Sequence, residues 1–251
     1  MSSSIWTQCA GDSKLAALRL EPWRVVEAQH QVSTRKLVDT DAEQQVLEQL
    51  IDAAKPPDRT HGRMHYLLYT PFRYPPLRHG SRFGARTEPA IWYGAESLRT
   101  AFAEVAYYRL VFLEGTKADL GLVEAELTAF VAVVRTERGI DLTRAPFSQH
   151  HEALVSPVDY SAPQALGSAM RAASVEAFRY SSARDVEGGA GVGVFTPAAF
   201  GRRQPRNLET WHCAATKAAV ELSRRDYFAR STHVFPREDF LVDGQLPAPA
   251  L

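Results

Sequence analysis

The sequence is poor in cysteine, in net charge and in long apolar runs, and each shortage excludes something. Two cysteines, Cys9 and Cys213, stand far apart in 251 residues. No CxxC or other close pairing exists, so neither a disulfide framework nor a thiolate zinc site is expected. Lys and Arg total 29 and Asp and Glu total 29, a formal net charge of zero. A dedicated nucleic-acid binder carries a basic excess, because phosphate neutralisation supplies most of its affinity. Direct nucleic-acid binding is therefore not expected, and the neutral balance leaves a homodimer open. No stretch approaches 18 consecutive apolar residues, and the start MSSSIWTQCAGDSK has no basic region leading into an apolar run. The expectation is a cytoplasmic protein without a membrane span.

What remains is an ordinary globular composition, 45% hydrophobic with 15 Gly and 15 Pro. Residues 1–60 read as an N-terminal helical extension, in which Thr40 and Glu43 have capping-box spacing ahead of Val46, Leu47, Leu50 and Ile51. Residues 61–251 read as the main domain. There His65–Tyr69 is predicted as a short strand, and PFRYPPLRHGSR (71–82) is too rich in proline for regular structure and suits a ligand-facing loop. A strand at Ala90–Gly94 precedes a helix from Ser97 to about Phe112, striped by Leu98, Ala101, Phe102 and Val105. Residues 121–135 read as one long or bulged strand and 140–162 as loop. A helix is predicted over 163–178, then a strand end, a Gly-rich turn and a strand over 180–195. Residues 208–225 fit strands or helix equally, and a last strand starts near His233. The fold class is α+β, a single mixed domain with a twisted central sheet flanked by helices.

Most motif candidates have plain explanations. Gly188–Gly193, GGAGVG, runs into Val194-Phe195 rather than a helix, which fits a hairpin turn and not a dinucleotide fingerprint. His61 and His65 lack a helical context and a neighbouring Glu, so no metal is expected. His212 and Cys213 are adjacent, and on a strand adjacent side chains point to opposite faces, so Cys213 reads as a buried structural cysteine rather than half of a nucleophile pair. Glu104 is different. It falls at the edge of the apolar stripe near Ser97 and Tyr108, where helix, sheet and solvent meet. Taken alone it is a border glutamate neutralised by Arg99 or Arg109, but Arg82 in a Gly-rich loop and Tyr93 ending a strand form a set with it.

These motifs resemble the RES domain family, named for Arg, Glu and Ser. The resemblance runs from about Val25 to the C-terminus through Leu37-Val38-Asp39, PFRYPPL, GSRFG, WYG, AFAEVAYYR and RYSSAR, in the family's order and spacing. It implies an ADP-ribosyltransferase-like fold, a toxin role neutralised by an Xre-type helix-turn-helix antitoxin, and NAD⁺ as substrate. It assigns Arg82, Tyr93, Glu104 and Ser182 to the family's functional positions. The chemistry agrees. Cleavage of the nicotinamide–ribose bond passes through an oxocarbenium-like state that a carboxylate such as Glu104 stabilises. Tyr93 offers an aromatic face to nicotinamide, Ser182 a hydrogen bond, and Arg82 a bidentate fork for pyrophosphate. Arg184 is a second phosphate candidate, with Arg73 and Arg86 behind it. Two positions depart from the family, Gly191 where Asn is common and Tyr108 where His is common. The leading expectation is an NAD⁺ glycohydrolase or phosphorylase. The rivals are a protein mono-ADP-ribosyltransferase using the same pocket and a catalytically idle antitoxin-binding module.

Overall fold

In the computed structural model, the described residues are 4–28, 40–54, 64–76, 78–226 and 231–247. Short helix α1 (Ile5–Gln8) leads into strands β1 (Ala16–Leu20) and β2 (Trp23–Glu27). Helices α2 (Asp41–Ala54) and α3 (Tyr66–Arg73) follow, then β3 (Trp92–Ala95) and α4 (Leu98–Gly115). Strands β4 (Val123–Val131) and β5 (Val134–Asp141) precede α5 (His151–Val155) and α6 (Ser161–Ala172). The chain ends with β6 (Ala177–Ser181), β7 (Ala190–Val194), β8 (Arg206–Ala215), β9 (Ala219–Arg224) and β10 (Thr232–Pro236).

All ten strands form one mixed sheet in the order β1-β5-β6-β7-β3-β2-β4-β8-β9-β10. Every pairing is antiparallel except β5 with β6. A parallel pair needs a long crossover, and residues 142–176 supply it with α5 and α6. Only Ala132 and Val133 join β4 to β5, which lie five strand positions apart. In a flat sheet that gap is about 24 Å, and the link reaches at most about 11 Å. The sheet is therefore curled, and the run predicted as one strand over 121–135 is two strands bent at 132–133. On the face inside the curl, Trp92, Phe130, Val134, Val192 and Val194 share a core with Leu67 and Leu68 of α3.

The opposite face carries two separate cores. Over β2, β4 and β8–β10, α4 buries Phe102, Ala106 and Leu110 against Leu127, Trp211 and Leu222. Over β5–β7, α6 packs Leu166 and Met170 beside Phe83, Phe147, Phe178 and Tyr180. Cross-strand partners point the same way, so Trp23, Ala95, Gly191 and Tyr180 put both cores on one face. The groove between them holds the candidate site.

Several expectations change. Residues 16–27, assigned to an appended helical region, are two strands of this sheet, with β2 central in it. Short apolar runs such as WRVVE carry too few residues for periodicity to separate strand from helix. The capping box is present, with Thr40 N donating to Glu43 Oε2 at 3.0 Å and Glu43 N to Thr40 Oγ1 at 3.2 Å. Val46 and Leu50 on that helix are exposed. Leu37-Val38-Asp39, His61 and a boundary at residue 60 lie outside the described residues. Residues 66–73 form α3 rather than a strand, because burial of Leu67 and Leu68 under Trp92 and Phe200 outweighs the local pattern. His65 is its N-cap, its Nδ1 accepting from Leu67 N at 3.3 Å. The expected loop at 140–162 contains α5, and the helix expected over 163–178 ends at Ala172, leaving Phe178 in β6. Gly188 and Gly189 of GGAGVG end the 182–189 connection of the β6–β7 hairpin and its last four residues lie in β7, while 206–224 resolves to strands. Cys213 is buried in the α4 core while His212, facing the other way, meets Glu124 at 3.1 Å.

Candidate functional site

Glu104 ends the second turn of α4, a helix capped by Ser97, whose Oγ accepts from Thr100 N at 3.0 Å. Phe102 on the buried side locks the helix against Trp211, with ring centroids 4.7 Å apart. The expected partners of Glu104 are engaged elsewhere. Arg109 pairs with Glu27, and Arg99 pairs with Asp185 and, at 3.0 Å, with Glu187. Glu104 itself makes no hydrogen bond or ion pair with any described residue. Burial pushes its pKa above the ordinary carboxylate value, and the positive fields of Arg82 and Arg184 pull against that rise without cancelling it.

Those two cations reach the groove from separate loops. Arg82 sits in a tight turn where Ser81 and Gly84 exchange backbone hydrogen bonds at 2.8 and 3.3 Å. Gln164 of α6 grips the turn, donating to the Ser81 carbonyl at 3.0 Å. Gly167 lets the helix come this close, since a Cβ there would collide with the Phe83 carbonyl oxygen. Arg82 is 8% exposed, donates to the Ser156 carbonyl at 2.8 Å, and lies 4.7 Å from the centre of the Tyr160 ring. Arg184 is 4% exposed and donates to Tyr160 Oη at 3.0 Å and the Pro157 carbonyl at 3.1 Å. Its guanidinium lies 3.6 Å from the centre of the Tyr107 ring on α4. Both cations are thus fixed by carbonyls and aromatic faces, and neither meets a carboxylate among the described residues. Buried guanidiniums neutralised by no acid suit an anionic ligand.

Tyr93 and Ser182 complete the set, each with a structural duty that sequence reasoning did not anticipate. Tyr93 Oη is tied to Ser81 Oγ at 2.9 Å and accepts from Phe83 N at 3.1 Å, holding the Arg82 turn to β3. Burial pushes its pKa to about 12 against those hydrogen bonds. Ser182 Oγ accepts from Arg184 N at 3.1 Å and Asp185 N at 3.3 Å, so it shapes the turn that aims Arg184 and leaves its own hydrogen to donate. On β6 the groove-facing positions are Phe178 and Tyr180, and Ser182 continues that alternation where Ser181 opposes it. Arg86 is exposed, two residues past the Arg82 turn. Arg73 ends α3, which packs on the Trp92 face of β3, opposite the face of Tyr93. The structure brings together Arg82, Tyr93, Glu104, Ser182 and Arg184, and leaves Arg73 and Arg86 outside.

A family model describing the RES domain matches residues 56–216, more than half of the chain. The chain belongs to the RES domain family. No curated protein matches it significantly. Among solved structures it resembles the M. tuberculosis MbcT–MbcA toxin–antitoxin complex, at 14% identity and a TM-score of 0.45, covering 78% of this chain and 84% of that one.

Some residues of the candidate site carried no sequence signal. Asp185 is buried and accepts from Thr100 Oγ1 at 2.7 Å and from Arg99, binding the Ser182–Gly189 loop to the first turn of α4. Its one clue is its place directly after RYSSAR. Tyr160, which separates and braces the two cations, lies in a stretch that reads only as loop. Among the described residues, no group of three or more His, Cys, Asp and Glu is arranged to hold a metal ion, and no helix is long and apolar enough to cross a membrane.

Proposed function

We propose that this RES protein cleaves the nicotinamide–ribose bond of NAD⁺, acting as the toxin of a toxin–antitoxin pair whose partner is an Xre-type antitoxin. The observation that carries the reading is Glu104, a carboxylate without an ion pair among the described residues, in the field of two buried guanidiniums that no described carboxylate neutralises. Arg82 and Arg184 bind the pyrophosphate, and the Tyr93 ring faces nicotinamide. Ionised Glu104 holds a ribose hydroxyl and stabilises positive charge developing at the anomeric carbon. The carbon–nitrogen bond breaks with its electron pair going to nicotinamide, which leaves neutral. An oxygen of water or phosphate then bonds to the anomeric carbon, and water gives up one proton. A chain that consumes NAD⁺ works inside the cell, where that substrate is held.

Transfer to a protein acceptor is less well supported. Acceptor activation calls for a polar residue two positions before the glutamate, and here that residue is Phe102, buried against Trp211. The test follows NAD⁺, nicotinamide and ADP-ribose over time with pure wild-type protein and Glu104→Gln, with and without phosphate. Loss of NAD⁺ with wild type alone supports the reading, and the product names the acceptor. Intact NAD⁺ with both, together with label from NAD⁺ on protein in lysate, supports transfer instead. Intact NAD⁺ and no label supports the idle binding module.

A further inference from the structure

Tyrosines crowd around Glu104, and most of their hydroxyls are engaged. Tyr93 Oη is held by Ser81 and Phe83, Tyr107 Oη donates to the Pro247 carbonyl, and Tyr160 Oη accepts from Arg184. Tyr108, one helical turn after Glu104 on the same side of α4, is 47% exposed, and its hydroxyl, which no described residue holds, stands in solvent. Tyr180 is unlike all of these. It is 6% exposed, and its ring is gripped by Phe83, Phe178 and Tyr93 with centroids 5.0, 5.7 and 6.2 Å away. Its hydroxyl nevertheless makes no hydrogen bond with any described residue. The oxygen is not sealed from solvent.

The backbone beneath is built for this placement. Gly191 on β7 is the cross-strand partner of Tyr180, and a Cβ there would meet the ring at Cζ and lie 2.6 Å from Oη. A glycine inside a strand sacrifices packing, and here the aromatic ring takes up the vacated space. A buried phenol with an unused hydroxyl, held rigidly and open to the groove, is set to meet a ligand.

We infer that Tyr180 is a substrate-binding residue, donating its hydroxyl to the nicotinamide ribose of NAD⁺ beside Glu104. This rests on the NAD⁺ reading above. A ribose hydroxyl donates to the carboxylate and accepts from the phenol at once, which uses both groups. Burial, with Glu104 and Tyr93 close by, raises the Tyr180 pKa well above that of a free phenol, so the proton to be donated stays in place.

Tyr180→Phe keeps every ring contact, including that with Gly191, and removes only the oxygen. An unshifted melting curve verifies the fold. The expected result is a fall of about tenfold in kcat/KM for NAD⁺, the loss of one hydrogen bond made in a buried site. Analogues of NAD⁺ lacking the 2′- or the 3′-hydroxyl of the nicotinamide ribose give the second readout. Wild type should lose rate with one of them, and Tyr180→Phe should lose little more with that same analogue. A merely structural tyrosine does not produce that non-additivity. Wild-type kinetics in Tyr180→Phe, or fully additive penalties, overturn the assignment while leaving NAD⁺ cleavage standing. A wild-type protein that leaves NAD⁺ intact overturns both.

Discussion

The two walls of the groove are built on different principles. The α4 wall is one long helix, capped by Ser97 and clamped by Phe102, Ala106 and Leu110, and it delivers Glu104 as part of a rigid rod. The opposite wall is assembled from loops. Arg82 comes from a turn before β3, Arg184 from the turn after β6, and Tyr160 from the start of α6. The acid needs no partner because the helix fixes it, whereas each cation needs carbonyls and an aromatic face to replace the water it has lost. A carboxylate kept unpaired by rigid packing remains free for substrate. Long cationic side chains on loops have to be immobilised one hydrogen bond at a time. The walls are joined by the buried Asp185 with Arg99 and Thr100 of α4, beside the exposed Glu187 on Arg99 and the Arg184 guanidinium over the Tyr107 ring.

Removing the acid should have the largest effect. Glu104→Gln is expected to lower kcat for NAD⁺ by about 10²–10³-fold, as does the loss of a group that stabilises transition-state charge, with NAD⁺ binding retained in calorimetry. A variant that loses binding instead would mean that Glu104 belongs with the cations rather than opposite them.

The cation wall is tested by keeping charge and removing shape. Arg82→Lys and Arg184→Lys lose the planar fork that donates to carbonyls and lies on Tyr160 and Tyr107. Each should lower kcat/KM by about 10- to 100-fold, with KM carrying most of the change. If both lysine variants match wild type, only the net charge of this wall matters.

Breaking the link between the walls comes next. Asp185→Asn leaves Arg99 half-neutralised and should cost about 3 kcal/mol of stability, read as a lower midpoint in urea. Activity of the folded fraction should drop in kcat more than in KM, because Ser182 and Arg184 lose their registration against α4. An unchanged kcat in the folded fraction would show that the walls hold their spacing without it.

The smallest effect concerns pH. Glu104 has a raised pKa, so the fold binds its proton more tightly than the unfolded chain does, and ionisation costs stability as pH rises through the raised value. Activity, which uses the ionised form, should climb over a pH range above that of an ordinary glutamate. Glu104→Gln should melt higher than wild type at pH 7, each kcal/mol of relief appearing as about 2–4 °C, and the gain should vanish below pH 4, where both side chains are neutral. A Tm gain that is the same at both pH values would assign it to packing.

The asymmetry of the walls also explains what could be read in advance. The α4 wall was legible because its information is local, with a serine cap and an apolar stripe that places Glu104 at its edge. The hairpin of β6 and β7 was legible for the same reason, its turn residues lying between two apolar runs. The bracing of the other wall was not. Tyr160 and Arg184 are 24 residues apart, and Arg82 and Ser156 are 74 apart, so no window of sequence contains the contact. The two strands over 16–27 and the helix over 66–73 were misread because their identities depend on what buries them. Val25 and Trp23 become strand residues by packing under α4, and Leu67 and Leu68 become helical by filling the curl of the sheet.

By itself, then, the sequence determined the α+β class, the α4 helix, the β6–β7 hairpin and, through the order of its motifs, the set Arg82, Tyr93, Glu104 and Ser182. The class, helix and hairpin follow from short-range periodicity, capping and turn chemistry, which act within a few residues of chain, and the residue set follows from the resemblance to the RES family. Tertiary structure alone decided that Arg184 joins that set while Arg73 and Arg86 stand apart, that Asp185 ties the walls together, and that Tyr180 lies over Gly191 with its hydroxyl unspent. Those outcomes depend on which distant segments the curled sheet brings face to face, and on how each buried polar group is satisfied once it is there.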